Sequence, residues 1–221
     1  MKTDIDSIYK ILNKTVKDYK VPIVDLVEAR TKDPFKILVT TILSARTKDE
    51  VTARASVSLF KKVSVPKDIN KLTIKQIEKL IYPVGFYKNK AKYLKKLPVV
   101  LKEKFNNKIP RTIEELIELP GVGRKTANLV MAVAFKIPAI CVDVHVNRIM
   151  NRFGYIRTKN PLETEMALRK KLPKKYWLKI NYIIVAFGQN LCKPINPKCD
   201  VCPVYKYCKR VGVKTKYEIR K

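Results

Sequence analysis

The stretch LPGVGRKTANLV, residues 119–130, places two glycines directly before a segment of helical character. It is not a phosphate-binding P-loop, because that motif needs four residues between its glycines and Lys directly after the second. Here a single residue separates Gly121 from Gly123, and Arg124 stands before Lys125. The preceding TIEELIEL also has the pattern of a helix rather than of a strand. The order of helix, glycine turn and helix indicates a helix-hairpin-helix.

The glycines of this turn suit contact with a phosphate. Glycine adopts the positive φ of a type II turn, and its missing side chain lets the backbone approach a nucleic-acid strand. The following helix, which begins RKTANLV, directs unsatisfied N–H groups and its positive dipole end toward that phosphate. We therefore predict sequence-independent DNA binding by Gly121, Gly123 and Arg124. An ordinary turn between two helices is the alternative, and the string LPGVG alone leaves it open.

Helix-start signals recur along the rest of the chain. Asp33 and Asn160 each stand directly before a proline, which is the order of an N-cap followed by the first helical residue. Thr73 and Gln76 have capping-box spacing. The sequence shows no convincing two-residue alternation and no internal repeat. The predicted fold class is all-α.

Two interruptions of helices are also predicted. Pro98 lies inside AKYLKKLPVVLKEKF, and because proline lacks the N–H that a helix interior needs, we expect a kink or a break there. Gly188 follows YWLKINYIIVAF and is expected to end that helix. No Gly/Ser-rich linker marks a domain boundary, so two domains would have to pack tightly.

The charge of the chain points to a polyanionic partner. There are 48 Lys and Arg against 19 Asp and Glu, a formal net charge of +29. Adaptation to heat usually raises Glu together with Lys, and the acids are too few for that explanation. A surface this positive attracts nucleic acid and binds it with release of counterions. An anionic membrane is the competing partner, but no basic amphipathic helix with a Trp/Phe face is visible, so we expect no membrane association.

Compartment and chemistry are limited by what the sequence lacks. The first 20 residues have no uninterrupted apolar core of a signal peptide, and the most apolar stretch, LVMAVAFKIPAICV, is too short to span a bilayer. We therefore expect a soluble cytoplasmic protein without paired disulfides. His145 is the only histidine, which disfavours sites with several His ligands or a His-rich catalytic centre. The chemistry must use Lys, Asp, Glu, Tyr or Cys.

Four cysteines lie close together near the end of the chain, with the spacing C-x6-C-x2-C-x5-C: Cys192, Cys199, Cys202 and Cys208. Intervening prolines enforce a non-helical path that can surround an ion. Structural zinc sites usually pair two C-x2-C units, whereas four Cys with one short pair suit a cubane iron–sulfur cluster. Spacing alone does not decide between the two. Cys141, in AICVDV, is expected to be a small core residue.

Taken together, LPGVGRKTAN, VDVHVNRIMNR and the cysteine spacing resemble the endonuclease III family of DNA glycosylases. The strings ILSARTKDEVT and VGFYKNKAKYL extend the resemblance over about the whole chain. The resemblance implies two α-helical domains with a DNA-binding cleft between them. It assigns residues 26–137 to a six-helix domain containing the hairpin. It assigns residues 1–25 and 138–221 to a second helical domain that carries a 4Fe-4S cluster at residues 192–208.

The resemblance also implies roles for single residues. Lys125 matches the family's nucleophile and Asp143 its catalytic carboxylate, while the plain alternatives are a solvated cation and an N-cap. Phe86 and Arg46 match the two positions that fill the gap left by a flipped base, although the family often has Gln in place of Arg46. A core aromatic and a surface cation are the alternatives for those two positions. His145 is counted among the DNA-binding residues.

The function that the resemblance implies is a bifunctional DNA glycosylase and AP lyase, which removes oxidised pyrimidines and nicks the strand by β-elimination. A monofunctional thymine or uracil mismatch glycosylase is the nearest alternative, but such relatives typically carry Tyr or another residue where Lys125 stands. A non-catalytic DNA-binding module needs neither Lys125 nor Asp143. The expected partner is duplex DNA with a damaged base or AP site, bound by a monomer in the nucleoid of a prokaryotic cell.

Overall fold

The computed structural model describes residues 3–19 and 31–213, and within these ranges every regular element is helical. The prediction of an all-α fold is therefore confirmed. The α-helices, in chain order, are Ile5–Thr15 (α1), Pro34–Ser44 (α2), Asp49–Phe60 (α3), Ile74–Ile81 (α4), Tyr87–Phe105 (α5), Ile113–Leu116 (α6), Arg124–Ala134 (α7), Val144–Arg152 (α8), Pro161–Lys171 (α9) and Trp177–Asn190 (α10). Short 3-10 helices cover Val16–Asp18, Pro66–Lys71, Lys174–Tyr176 and Tyr205–Tyr207. None of the described helices is long and apolar enough to cross a membrane.

The chain divides into two compact units. We call Pro22–Ala139 the hairpin unit, and Met1–Val21 with Ile140–Lys221 the cysteine unit. The boundary predicted between residues 25 and 26 lies outside the described residues. Lys125 thus belongs to the hairpin unit and Asp143 to the cysteine unit.

The hairpin unit has its own apolar core, to which all of its longer helices contribute. Helix α2 is buried along most of its length, as its nearly continuous apolar run requires. It starts where predicted, because the Asp33 carboxylate accepts a hydrogen bond from the Phe35 N–H at 2.9 Å. Helix α4 starts with the predicted capping box: the Gln76 N–H donates to Thr73 Oγ1 at 3.2 Å, and the Thr73 N–H donates to Gln76 Oε1 at 2.8 Å. These local signals fix where the helices of this unit begin.

The cysteine unit has a second core, formed by α1, α8, α9 and α10. Phe153 and Phe187 are its largest fully buried side chains, and their ring centroids lie 6.2 Å apart. Helix α9 begins at the predicted cap, since the Glu163 N–H donates to Asn160 Oδ1 at 2.9 Å. Cys141 is buried, as predicted, with 1% of its surface exposed.

Of the kink or break predicted at Pro98, the break does not occur. Helix α5 runs from Tyr87 to Phe105 with Pro98 inside it. Pro98 lies on the buried side of the helix together with Leu94, Leu97 and Leu101, all three of which are fully buried. Packing of this apolar side against the core outweighs the one backbone hydrogen bond that the proline cannot donate.

The predicted helix end at Gly188 is also wrong, because α10 continues to Asn190. Gly188 is instead a point of close packing inside the cysteine unit. A Cβ at this position would lie 2.5 Å from His145 Nδ1 and 2.9 Å from Ile149 Cδ1, both on α8. The glycine therefore allows α10 to approach α8 and does not serve as a stop signal.

Candidate functional site

The predicted hairpin is present in the hairpin unit as α6, a tight turn and α7. Leu119 and Val122 anchor the turn in the core, and the Val122 N–H donates to the Leu119 carbonyl at 3.1 Å. Gly121 has φ +78°, in the region that favours glycine. A Cβ there would lie 2.6 Å from the ring of Tyr93, which projects from α5. Gly121 is therefore required both by its backbone conformation and by the ring beside it.

Gly123 has a different role from Gly121. Its φ of −95° and ψ of 174° are accessible to any residue, and among the described residues no atom beyond its chain neighbours and its own helix lies within 4 Å of the Cβ it lacks. It is the N-cap of α7 and, as a glycine, has no side chain with which to cap the helix. Of the two glycines, only Gly121 has the positive φ for which a glycine is needed. The open space beside Gly123, together with the positive end of the helix dipole, suits an incoming anion.

Lys125 is the second residue of α7, and its side chain is exposed. Arg124 precedes it and is half-buried, and no acidic residue lies in this first turn. The start of α7 is tied down from within, because Asn128, fully buried, donates from Nδ2 to the Arg124 carbonyl at 3.0 Å. The structure thus brings Gly123, Arg124 and Lys125 together on one fixed and accessible helix start.

Asp143 is the N-cap of α8 in the cysteine unit. Its Oδ1 accepts hydrogen bonds from the N–H groups of His145 and Val146, each at 2.9 Å. Both bonds go to the same oxygen, so the carboxylate is held in one orientation while Oδ2 accepts neither of them. The N-cap, which is the alternative to a catalytic role for Asp143, is therefore present. A catalytic role is compatible with it, since the capping geometry uses one oxygen of two.

His145 follows in the first turn of α8 and is half-buried. Its Nδ1 lies 3.1 Å from Nη2 of Arg148, and its ring lies against Gly188 of α10. One side of the imidazole is therefore packed against Arg148 and Gly188. A DNA contact through this residue stays a prediction.

Arg46 and Phe86 lie next to each other in the hairpin unit. The guanidinium carbon of Arg46 is 5.5 Å from the centroid of the Phe86 ring, within the range of a cation–π contact. Both residues have left-handed backbone conformations, with φ +54° and φ +58°. Phe86 is 58% exposed, so the alternative of a core aromatic does not hold for it. Two exposed side chains on strained backbone are typical of a functional surface.

Lys90 was not predicted as a functional residue, although the structure gives it an unusual position. It is 5% exposed and projects from α5 toward the C-terminal end of α2. Its Nζ donates to the carbonyls of Leu43 and Ala45, at 2.8 Å and 2.6 Å. Burial lowers the pKa of Lys90 to about 8, which leaves the amine mostly protonated at neutral pH. The available signal was its helical spacing from Leu94 and Leu97, which places a lysine on an apolar stripe.

The four predicted cysteine ligands come together in the cysteine unit. All four line one cavity, together with the following residues: Arg152, Phe153, Phe187, Leu191, Pro197, Lys198, Tyr205, Arg210 and Val213. No three of the described His, Cys, Asp and Glu side chains converge on a single-ion position. Burial raises the pKa of Cys202 to about 11 and also raises the pKa of Cys199 and of Cys208, so the surroundings of these three thiols favour their neutral form.

Arginines surround the cysteine segment. Arg152, the last residue of α8, donates from Nη1 to Cys192 Sγ at 3.4 Å and to the Lys193 carbonyl at 2.6 Å. Its Nη2 donates to the Pro194 carbonyl at 2.7 Å. From the other side, the Arg210 backbone N–H donates to Cys208 Sγ at 3.3 Å. Hydrogen bonds and positive charge of this kind stabilise sulfur that carries negative charge.

The residues present fit an iron–sulfur cluster. Four thiols line one cavity, which is the donor set that a cubane needs. Among the described residues, Nε of Arg210 is a buried donor without a hydrogen-bond partner, and Arg210 lines this same cavity. A buried donor of this kind calls for an acceptor, and cluster or thiolate sulfur would supply one. Cys192, Cys199, Cys202 and Cys208 would hold the cluster.

Comparison with known proteins agrees with both parts of the site. Residues 39–174 match the family model of HhH-GPD superfamily base excision DNA repair proteins. Residues 192–208 match the iron–sulfur binding domain of endonuclease III, over the same segment that the four cysteines delimit. The predicted cofactor, a 4Fe-4S cluster, is thereby confirmed.

Individual relatives extend this agreement over nearly the whole chain. Endonuclease III of Thermotoga maritima is 44% identical over 188 residues, which cover 85% of this chain and 88% of that protein. Endonuclease III of Bacillus subtilis is 40% identical over 157 residues, which cover 71% of this chain and 72% of that protein. The chain spans only 40% of endonuclease III homolog 1 of Arabidopsis thaliana, to which it is 42% identical.

Solved structures give the same result. A non-covalent endonuclease III–DNA complex superposes with a TM-score of 0.84 at 35% identity, covering 98% of this chain and 97% of that one. A trapped endonuclease III–DNA covalent intermediate gives a TM-score of 0.78 at 34% identity, covering 94% and 96%. The chain belongs to the HhH-GPD superfamily of base excision DNA repair proteins and, within it, to the endonuclease III family.

Proposed function

We propose that Lys125 is the nucleophile through which this protein, a DNA glycosylase and AP lyase of base excision repair, cleaves damaged DNA. The observation that carries the proposal is the position of Lys125: exposed, in the first turn of a helix whose capping residue is a glycine. A primary amine at such a helix start can approach a nucleotide whose phosphate lies against the same turn.

The proposed reaction begins with attack of the Lys125 amine on C1′ of the damaged nucleotide. The C1′–N bond breaks, and the electron pair leaves with the base, which takes up a proton. The amine loses its protons and forms an imine with the opened sugar. The imine acidifies the hydrogens on C2′, so loss of one of them expels the 3′ phosphate by β-elimination and nicks the strand. A later water molecule releases the enzyme from the imine.

Asp143 is the carboxylate that we assign to this reaction. Cleavage of a glycosidic bond develops positive charge at the anomeric carbon, and a nearby carboxylate stabilises that charge. Two backbone N–H groups hold Asp143 through Oδ1, so little reorganisation is needed as the charge develops. The same carboxylate is suited to accept a proton from the attacking amine.

Binding of duplex DNA is the second part of the proposal. Gly121 and Gly123 allow close approach of the backbone to a phosphate, and the surplus of 48 cationic over 19 anionic residues attracts the duplex. The target base must leave the stack to reach an active site, and Arg46 with Phe86 would fill the gap. The bound iron–sulfur cluster would cross-link the four cysteines and thereby fix the segment 192–208.

The finer points are proposals that rest on the family resemblance. We assign oxidised pyrimidines as the preferred lesions, a monomer as the active form, and the cytoplasm of a prokaryotic cell, associated with its nucleoid, as the location. The division into the two predicted domains belongs to the same set. Each has its own measurement: a lesion panel, the mass in solution, localisation in cells, and DNA footprints on variants of either unit.

The proposed function is tested on duplexes that each contain one defined lesion. An oxidised pyrimidine should be released as the free base, and the strand should be nicked with the product of β-elimination. Borohydride added during the reaction should trap the protein covalently on the DNA, because it reduces the imine. Base release without any nick or trapped adduct would contradict the bifunctional mechanism.

A monofunctional mismatch glycosylase is the second candidate, and one observation favours it. A thermostable thymine-DNA glycosylase superposes with a TM-score of 0.80 at 27% identity, covering 93% of this chain and 95% of that one. The scaffold is thus compatible with either reaction. A duplex with a G·T mismatch separates them: release of thymine without borohydride trapping supports the second candidate, and trapping on AP-site DNA supports the first.

A further inference from the structure

The two exposed residues Arg46 and Phe86 lie on different loops that a small set of contacts joins together. Arg46 follows α2, and Phe86 precedes α5. A Cβ at Gly85 would lie 2.4 Å from the Arg46 carbonyl oxygen, so the two backbones meet directly. The Gly85 N–H donates to Thr47 Oγ1 at 3.1 Å, which is a second link between the loops.

The Lys90 ammonium contacts the loop of Arg46 directly and the loop of Phe86 through Thr47. Its Nζ donates to the carbonyls of Leu43 and Ala45, which end α2, and lies 3.2 Å from Thr47 Oγ1. Those carbonyls have no partner within the helix, and a cation at this end is favoured by the helix dipole. The Thr47 hydroxyl in turn donates to the Ala45 carbonyl at 3.3 Å. Lys90 and Thr47 therefore share one hydrogen-bonded cluster that fixes the turn in which Arg46 lies.

The strained backbone of the two loops needs such a cluster. Arg46 and Phe86 both have positive φ, although neither is a glycine. Conformations of this kind persist only where surrounding contacts over-determine them. Here the hydrogen bonds that hold the two loops involve Thr47 and Lys90. Lys90 is buried, whereas the neighbouring Lys88 and Lys92 on the same helix are exposed. A buried ammonium with three acceptors is costly to place unless it serves the structure around it.

We infer that Lys90 is a positioning residue for base flipping: it holds the two loops so that Arg46 and Phe86 together can enter the space left by the flipped nucleotide. This inference rests on the proposed function for its meaning. The hydrogen bonds of the Lys90 cluster are observed independently of the proposed function, so the proposed function and the role of Lys90 can be refuted separately. Lys90 itself does not contact DNA, and it acts only through the two loops.

The spectroscopic test uses a duplex with 2-aminopurine opposite a tetrahydrofuran analogue of an AP site, which the protein cannot cleave. Insertion of Arg46 and Phe86 unstacks the probe and raises its fluorescence. At saturating protein, Lys90→Met should lose most of this rise, as should Phe86→Ala. Lys96→Met removes the same charge from an exposed position on α5 and should keep it. An unchanged amplitude in Lys90→Met would overturn the inference.

The kinetic test is a cycle of variants under single-turnover conditions. Excision from duplex DNA should fall about ten- to a hundredfold in Lys90→Met, because misplaced groups cost rates of that order. In the Arg46→Ala/Phe86→Ala background, the same change should cost less than about twofold, since residues that act as one group are not additive. Nicking of a single-stranded AP site, which has no opposite base, should change little. If the rate losses from Lys90→Met and from the double variant multiply in full, Lys90 does not act through Arg46 and Phe86.

Two further measurements keep the inference testable if folding or activity fails. Thr47→Val removes the shared hydroxyl and keeps Lys90, so it should show the same pattern in weaker form if Lys90→Met does not fold. Mass spectrometry of tryptic fragments should show faster cleavage after Arg46 in Lys90→Met than in Lys96→Met. Absence of trapping by the unaltered protein would refute the proposed function, whereas equal cleavage after Arg46 would refute the role of Lys90.

Discussion

The starts of α7 and α8 solve the same problem in opposite ways. Each helix leaves N–H groups of its first turn without partners inside the helix. At α8, the Asp143 carboxylate of the protein itself accepts two of those hydrogen bonds. At α7, the N-cap is Gly123, which has no side chain to accept such bonds, and the next residues are Arg124 and Lys125. At the start of α8, the capping hydrogen bonds hold the Asp143 carboxylate in place. The start of α7, with a glycine N-cap followed by two cationic residues, is instead suited to bind an anion from another molecule.

The largest expected effect comes from the start of α7. Lys125→Gln removes the amine and keeps a polar side chain of similar length. Borohydride trapping on AP-site DNA should fall to the background level, because no imine can form at this position. Binding of the same DNA should persist, since Gly123 and Arg124 are unchanged. Lys62→Gln, at an exposed position of the same unit, is the matched control and should trap normally.

At the start of α8, two substitutions of Asp143 separate charge from capping. Asp143→Asn keeps a good N-cap and removes the negative charge, so base excision should fall by about 10²–10³-fold with little loss of stability. Nicking of a preformed AP site should suffer less, since the glycosidic bond is already broken. Asp143→Ala should lose a further ~1 kcal/mol of unfolding free energy, because the cap is lost too. Equal excision by Asp143→Asn and the unaltered protein would leave capping as its only role.

The other end of α8 meets the cysteine segment through Arg152, which extends the comparison to the cluster. Purified protein should contain about four irons per chain, the cubane stoichiometry. Cys199→Ser should lower the iron content and cost on the order of 4 kcal/mol of unfolding free energy, as loss of a structural metal site does. Cys141→Ser is the control, because this thiol lies outside the cavity and the iron should stay. One equivalent of zinc and no iron would refute the assignment.

The smallest expected effects sharpen the contrast between the two hairpin glycines. Gly121→Ala should cost about 1–3 kcal/mol of unfolding free energy, because the residue has positive φ and meets the ring of Tyr93. Gly123→Ala should cost less than about 1 kcal/mol, since its backbone is unstrained and the space beside it is open. It should nevertheless weaken DNA binding, because the methyl group occupies the proposed approach of the phosphate. Unchanged DNA binding by Gly123→Ala would show that this glycine serves only the turn.

Local signals in the sequence predicted the helix starts well. Asp33, Thr73, Asn160 and Asp143 cap the helices that follow them, because a capping residue and its N–H partners are neighbours in the chain. The cysteine segment was also predictable, since its four cysteines lie within 17 residues of sequence, 192–208. The family and the iron–sulfur domain were predicted from motifs of this compact kind and are confirmed.

Features that depend on distant parts of the chain were missed. The continuity of α5 through Pro98 depends on the core that packs against its apolar side, and Gly188 is set by side chains of α8 rather than by the end of its own helix. Lys90 contacts residues more than 40 positions earlier, so no short motif contains both partners. Tyr93 beside Gly121 is a contact of the same type.

The central claim is that the amine at the start of α7 forms the bond to DNA. Its most direct test is peptide mapping of the borohydride-trapped adduct. After digestion of the DNA and the protein, mass spectrometry should find the residue of the opened sugar on Lys125 and on no other lysine. A sugar attached elsewhere, for example to Lys90 or to the N-terminal amine, would contradict the account, even if the protein removes the base and nicks the strand as proposed.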